Sequence, residues 1–211
     1  MIVRNFASTA RSWAPLSVLL LAAIAAAVVF LPAPAPASEE IQMTDEEDRP
    51  ASLPNPVRTR DVAYQHDGAE LLGFLAYPAD LDRNGGQAPG VLIVHQWTGL
   101  GDYEKRRARM LAQLGYVAFA ADIYGAGIRP ETTEEAAAQA TIYRSDRALM
   151  RARAQAGLDQ LKSFDVCDQS RIGAIGYCFG GGTVLELARS GADFEAADSL
   201  HRNLATPNPE D

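Results

Sequence analysis

A cysteine stands among glycines in the run Ile175-Gly176-Tyr177-Cys178-Phe179-Gly180-Gly181-Gly182. The segment Gly176 to Gly180 reads Gly-x-Cys-x-Gly. That spacing suits a nucleophile carried on a turn so tight that side chains two residues to either side would collide with the chain. A thiolate presented there can attack a carbonyl carbon. The unpaired amides that open the following helix favour both that thiolate and the oxyanion formed by the attack. A buried structural cysteine in a glycine-rich turn is the other reading of the same residues. A nucleotide site is not, because Leu185 stands where a third glycine should follow Gly180 and Gly182, and no phosphate-loop lysine is present.

The second constellation is Val94-His95-Gln96-Trp97-Thr98-Gly99-Leu100. Folds built on such an elbow take a second oxyanion N–H from the loop after the first central strand, and the Trp97 amide is the candidate here. His95 is a candidate base. A histidine at that position also serves simply to end the strand and pack beside the site. The Trp97 ring reads equally as pocket wall or as core.

These groups need a scaffold, and the pattern supplies one. Val57 to Gln65 and Glu70 to Tyr77 are strand-like runs joined by His66-Asp67-Gly68-Ala69, whose Asp-Gly is a hairpin signal. Gly90 to His95 and Tyr116 to Asp122 are short continuous apolar runs, as strands buried on both faces would be. Asp102 to Leu114 carries apolar residues at helical spacing and stops at Gly115. Thr132 to Lys162 reads as helical with a break near Tyr143; a strand over Arg171 to Gly176 and a helix over Phe179 to Arg189 follow. Alternation of this kind predicts an α/β fold with a mostly parallel sheet and helices on both faces. Cys167 falls in a polar loop at one end of the Arg171 strand and Cys178 at the other. A strand rises about 3.3 Å per residue, which holds the two cysteines too far apart for a disulfide, so Cys178 is expected to be a free thiol.

At 211 residues the chain allows one domain with a targeting segment. Arg4 and Arg11 precede an uncharged apolar stretch, Leu16 to Leu31, that ends in alternating prolines and Ala35-x-Ala37. This predicts a secretory signal peptide over residues 1–37 and a periplasmic or extracellular destination. Membrane contact would then arise only through that segment if it stayed uncleaved. Residues 38–56 read as an acidic, proline-rich tether. Losing Arg4 and Arg11 and no acid takes the formal charge from −8 to −10. No basic stripe interleaved with aromatics is present, which argues against nucleic acid as a partner.

Residues 57–197 resemble the dienelactone hydrolase family, an α/β-hydrolase lineage with a cysteine nucleophile. The resemblance rests on Gly176-Tyr177-Cys178-Phe179-Gly180-Gly181, on Gln96-Trp97-Thr98-Gly99-Leu100 and on Ala121-Asp122-Ile123-Tyr124-Gly125. It implies that Cys178 attacks a small-molecule ester or lactone while the Trp97 and Phe179 amides hold the oxyanion. It implies that Gln96 and Tyr143 border the substrate, with no cofactor or metal. Gln96 occupies the place of a family glutamate and cannot ionise, and a substrate-binding arginine would fall near Gln139. Arg144 and Arg147 read as a solvated helix face. The family's aspartate and histidine lie on loops after the next two strands; His201, the one histidine after Cys178, lies in the first of those segments. The expectation is a C-terminally truncated hydrolase domain over 57–211, missing its last strands and helices and poorly soluble or weakly active alone. A non-catalytic binding protein on the same scaffold and a defective gene fragment remain the alternatives.

Overall fold

The computed structural model describes residues 55–201. The segment read as a signal peptide, residues 38–54 of the tether and the tail 202–211 lie outside the described residues.

Among the described residues the order is β1 (Val57–His66), β2 (Ala69–Pro78), α1 (Leu81–Asn84), β3 (Ala88–Val94), α2 (Asp102–Gln113), β4 (Val117–Ala121), α3 (Thr133–Ser145), α4 (Arg147–Lys162), β5 (Cys167–Tyr177), α5 (Phe179–Arg189) and β6 (Ala196–Leu200). The six strands form one sheet in the order β1-β2-β4-β3-β5-β6. The hairpin is antiparallel and joins β4 antiparallel, while β4, β3, β5 and β6 run parallel. The Asp-Gly signal is realised as a two-residue turn with both φ positive, 49° at Asp67 and 74° at Gly68. A mirror-image turn of that type matches the right-handed twist of the strands it joins.

The sheet has apolar residues on both faces. Leu92, Val94, Phe119 and Ala121 point to one side and pack with Met150, Ala154 and Leu158 of α4 and Val184 and Leu187 of α5. Val91, Ile93, Ala118 and Ala120 point to the other and meet Ala108 and Ala112 of α2. The small residues at that i, i+4 spacing let α2 lie close on the strands. Each fully buried Leu, Ile or Phe contributes about 1.5–3 kcal/mol relative to exposure.

Two expectations are corrected. The break in the long helical stretch falls at Asp146, which ends α3 and caps α4 through a bond from Leu149 N–H of 2.9 Å. Cys167 is not in a polar loop but begins β5 with its side chain buried against Gly90, so burial pushes its thiol up to about 11. It and Cys178 are both free thiols. The strand β5 is covered on its outer side. It pairs along Gly173–Tyr177 with β6, whose mostly exposed Ala-Ala-Asp-Ser-Leu forms the edge among the described residues.

Candidate active site

β5 and α5 meet at Cys178, whose φ of 53° and ψ of −110° lie where side chains are strained. Such a conformation costs about 1–3 kcal/mol and persists only where the surroundings enforce it. They do so here. Cys178 N–H donates to Leu200 O at 2.9 Å, and Gly182 N–H reaches Cys178 O at 3.4 Å. A Cβ on Gly176 would overlap the backbone of Gly180, and one on Gly180 would overlap the carbonyls of Val94 and His95. The Gly-x-Cys-x-Gly spacing is therefore a packing requirement that brings the end of β3 against the start of α5. Phe179 is the first residue of α5, so its N–H has no intrahelical acceptor.

The loop after β3 is tied on several sides. Glu104, in the first turn of α2 and 2 % exposed, accepts Gln96 N–H at 3.3 Å and Gly101 N–H at 2.9 Å. Gly99 N–H returns to Gln96 O at 3.2 Å. The Tyr124 hydroxyl donates to Trp97 O at 2.9 Å. Trp97 N–H has no acceptor among the described residues.

His95 is fully buried, with Nε2 accepting Ile123 N–H at 3.2 Å and Nδ1 against Gln96 O. Those partners require the neutral tautomer protonated on Nδ1. Burial, the largest influence, lowers its pKa below the ordinary value. With both ring nitrogens engaged, His95 is a structural histidine that ends β3, and its ring stacks on Phe179.

Asp122 is likewise buried and engaged. It accepts Leu72 N–H and Gly125 N–H, each at 3.1 Å, and pairs with Arg129 at 3.5 Å, which ties β2 to the turn after β4. Tyr143 is 4 % exposed and its hydroxyl donates to Tyr124 O at 2.9 Å. Its ring stacks on Tyr124 at 5.2 Å and meets Phe179 edge-on at 6.3 Å. Tyr143 thus lies behind the elbow with its hydroxyl committed to the backbone.

A small cavity of about 90 Å³ opens beside Cys178 and Phe179, lined by Arg144, Arg147, Met150 and Arg189. Neither Gln96 nor Tyr143 lines it. Buried Glu186 binds Arg147 at 2.8 Å, Arg151 at 2.9 Å and Arg189 at 2.9 Å. Arg144 lies 5.8 Å over the Phe179 ring. Arg144 and Arg147, read from the sequence as a solvated helix face, instead belong to this rim, and their link to Glu186 and Arg189 was not foreseen. The i, i+3 and i, i+4 spacings of Glu186/Arg189 and Arg147/Arg151 were its only local trace, and the partners that make it a cluster lie on different helices.

A larger groove of about 620 Å³ between the hairpin and α4 is lined by Tyr64, His66, Asp67, Asp159 and Ser163, with no cysteine. Among the described residues no cluster of His, Cys, Asp and Glu suits a metal ion, and no histidine ring or carboxylate hydrogen-bonds the Cys178 thiol. His201 follows directly on Leu200 with φ 53° and is exposed.

The model of the Dienelactone hydrolase family matches residues 73–210. The solved structure m3DLH is 39 % identical with a TM-score of 0.68, covering 73 % of this chain and 63 % of its own. A dienelactone hydrolase-like promiscuous phosphotriesterase from metagenomic libraries is 37 % identical with a TM-score of 0.67, covering 72 % and 62 %. Protein usf of Aquifex pyrophilus is 28 % identical over 123 residues, 57 % of this chain and 51 % of that protein. A structure from Klebsiella pneumoniae, 22 % identical with a TM-score of 0.58, covers 74 % of this chain and 64 % of its own and shares the fold. The chain spans about half the length of the curated relative and under two thirds of these structures. With an α/β-hydrolase sheet of six strands and a family match reaching from β2 to residue 210, the chain belongs to the dienelactone hydrolase family.

Proposed function

We propose that this protein cleaves small-molecule carboxylic esters or lactones through the Cys178 thiolate, with the Trp97 and Phe179 N–H groups holding the oxyanion, and that it works outside the cytoplasm. The observation that carries this reading is the elbow. Cys178 is held at a φ of 53° by Leu200 O and two glycine contacts, at the N-cap of a helix. Strain of this kind is maintained where a side chain must be presented. Attack forms the C–S bond and moves the carbonyl electron pair to oxygen. Collapse of the adduct expels the alkoxide and leaves a thioester, whose hydrolysis needs a proton acceptor for the attacking water. Gln96 and Tyr143 come to the substrate by family resemblance, Gln96 from the oxyanion loop and Tyr143 through its contact with Phe179. Arg144 and Arg189 line the cavity beside Cys178, and this basic rim supports an ester carrying an anionic group. Export rests on the basic, apolar and small-residue pattern of residues 1–37.

The test is p-nitrophenolate release from p-nitrophenyl acetate by the purified chain. Release should be abolished by Cys178→Ala and by prior alkylation, and a p-nitrophenyl ester bearing a free carboxylate should acylate faster. Unchanged release from the Cys178→Ala variant overturns the nucleophile. Recovery of the full-length precursor in the cytoplasm overturns export.

A further inference from the structure

The 96–97 peptide is held from several directions, and what it presents is one N–H. Gln96 N–H goes to Glu104 Oε1 at 3.3 Å, and the other oxygen of the same carboxylate holds Gly101 N–H at 2.9 Å, so both ends of the loop are tied to one side chain. Gln96 O faces His95 Nδ1 and accepts Gly99 N–H at 3.2 Å. Trp97 O accepts the Tyr124 hydroxyl at 2.9 Å. A trans peptide is planar, with its C=O and N–H on opposite sides. Fixing Gln96 O on the His95 side therefore fixes Trp97 N–H away from it. Glu104 is 2 % exposed, and among the described residues it has no ion pair. A carboxylate buried without a cation is costly unless hydrogen-bond donors hold it. Here the donors are the two amides at the ends of the oxyanion loop, together with the N-terminal turn of α2.

We infer that Glu104 is a positioning residue of the reaction. Its carboxylate, with His95 and the Tyr124 hydroxyl, holds the 96–101 loop so that Trp97 N–H is aimed at the oxyanion before substrate arrives. This inference rests on the reading of Cys178 as nucleophile and Trp97 as oxyanion donor. An oxyanion donor contributes only where charge develops on a carbonyl oxygen. Glu104 should thus affect acylation of Cys178 and leave simple displacement at its sulfur alone.

The experiment compares two reactions of Cys178 in the full chain: acylation by p-nitrophenyl acetate, read as the first equivalent of p-nitrophenolate, and alkylation by iodoacetamide, which develops no oxyanion. Loss of one well-placed oxyanion donor costs about 100- to 1,000-fold. Misaiming the donor should cost less, and Glu104→Gln is expected to slow acylation about 10- to 100-fold. Alkylation should stay within about twofold, and the ester concentration for half-maximal rate should not change. Tyr124→Phe keeps its ring packing and loses only the bond to Trp97 O, so it should show the same split more weakly. It carries the test should Glu104→Gln fail to fold. Acylation at the wild-type rate in both variants overturns the inference. A parallel fall in acylation and alkylation also overturns it, because Glu104 would then support the elbow as a whole. Cys178→Ala separates the two levels. If it still releases p-nitrophenolate like the wild type, the nucleophile reading has failed. If it is inert and the variants show no split, only the positioning role has failed.

Discussion

Cys178 N–H donates to Leu200 O at 2.9 Å, so the last residue of the edge strand β6 holds the Cys178 backbone in its strained conformation. This relationship makes a stability measurement report on the site. A cysteine at φ 53° and ψ −110° stores about 1–3 kcal/mol of strain that glycine would not, while glycine adds about 0.5–1 kcal/mol of unfolded-state entropy. Cys178→Gly should therefore be about 1 kcal/mol more stable than Cys178→Ala in urea unfolding, although both lack the thiol. Equal midpoints would show that the elbow carries no strain.

Two glycines two residues apart, Gly180 and Gly182, should respond in opposite ways. A Cβ on Gly180 would run into the carbonyl oxygens of Val94 and His95, which cannot step aside without breaking the end of β3. Gly180→Ala should cost more than about 3 kcal/mol and abolish iodoacetamide labelling of Cys178. Nothing lies within 4 Å of a Cβ on Gly182, inside the same helix. Alanine there should stabilise by up to about 1 kcal/mol through helix propensity. Thermal unfolding of the two variants checks the contrast.

The elements that carry local signals were legible in the chain. Asp67-Gly68 needs two positive φ angles and so announces its turn, and the apolar runs of β3 and β4 are continuous because both faces are buried. Gly-x-Cys-x-Gly announced the elbow because its glycines answer to backbone atoms close by in the fold. The edge strand β6 gives little signal of its own, since its exposed Ala-Ala-Asp-Ser-Leu lacks the apolar density of the other strands. Glu104 and Glu186 look like ordinary surface acids of amphipathic helices. Their burial is decided by amides of another loop and by arginines of another helix, and spacing along one helix does not encode either partnership.

His95 predicts an acid-side loss of stability. Its pKa is lowered below 6.5 chiefly by burial; Gln96 O, Asp122 and Glu104 act to raise it, and Arg129 adds to the lowering. Below about pH 6.5 the unfolded chain binds a proton that the folded chain resists, so stability is full above that point and falls as pH drops towards the folded-state value. The measurement is a difference between two proteins that share every other histidine. Wild type should lose thermal stability between pH 7 and 5 more steeply than His95→Asn, whose amide N–H can still face Gln96 O. Parallel slopes for the two proteins would rule out His95 as the source.

Glu186 offers a test of the arginine rim beside Cys178. Its carboxylate, 1 % exposed, binds Arg147, Arg151 and Arg189, whose side chains are 30 %, 27 % and 21 % exposed. Removing one partner of a buried pair costs about 3–5 kcal/mol when the charge left behind is trapped. In Glu186→Gln the charges left behind already reach water, and glutamine can still accept one bond, so the cost should be nearer about 1–3 kcal/mol. The released guanidiniums would raise the positive potential at the cavity. Acylation by an anionic p-nitrophenyl ester, relative to the acetate, should then increase at low salt, and the gain should shrink as ionic strength rises. Destabilisation with no change in that ratio would place the three arginines as a helix-to-helix tie with no part in substrate preference.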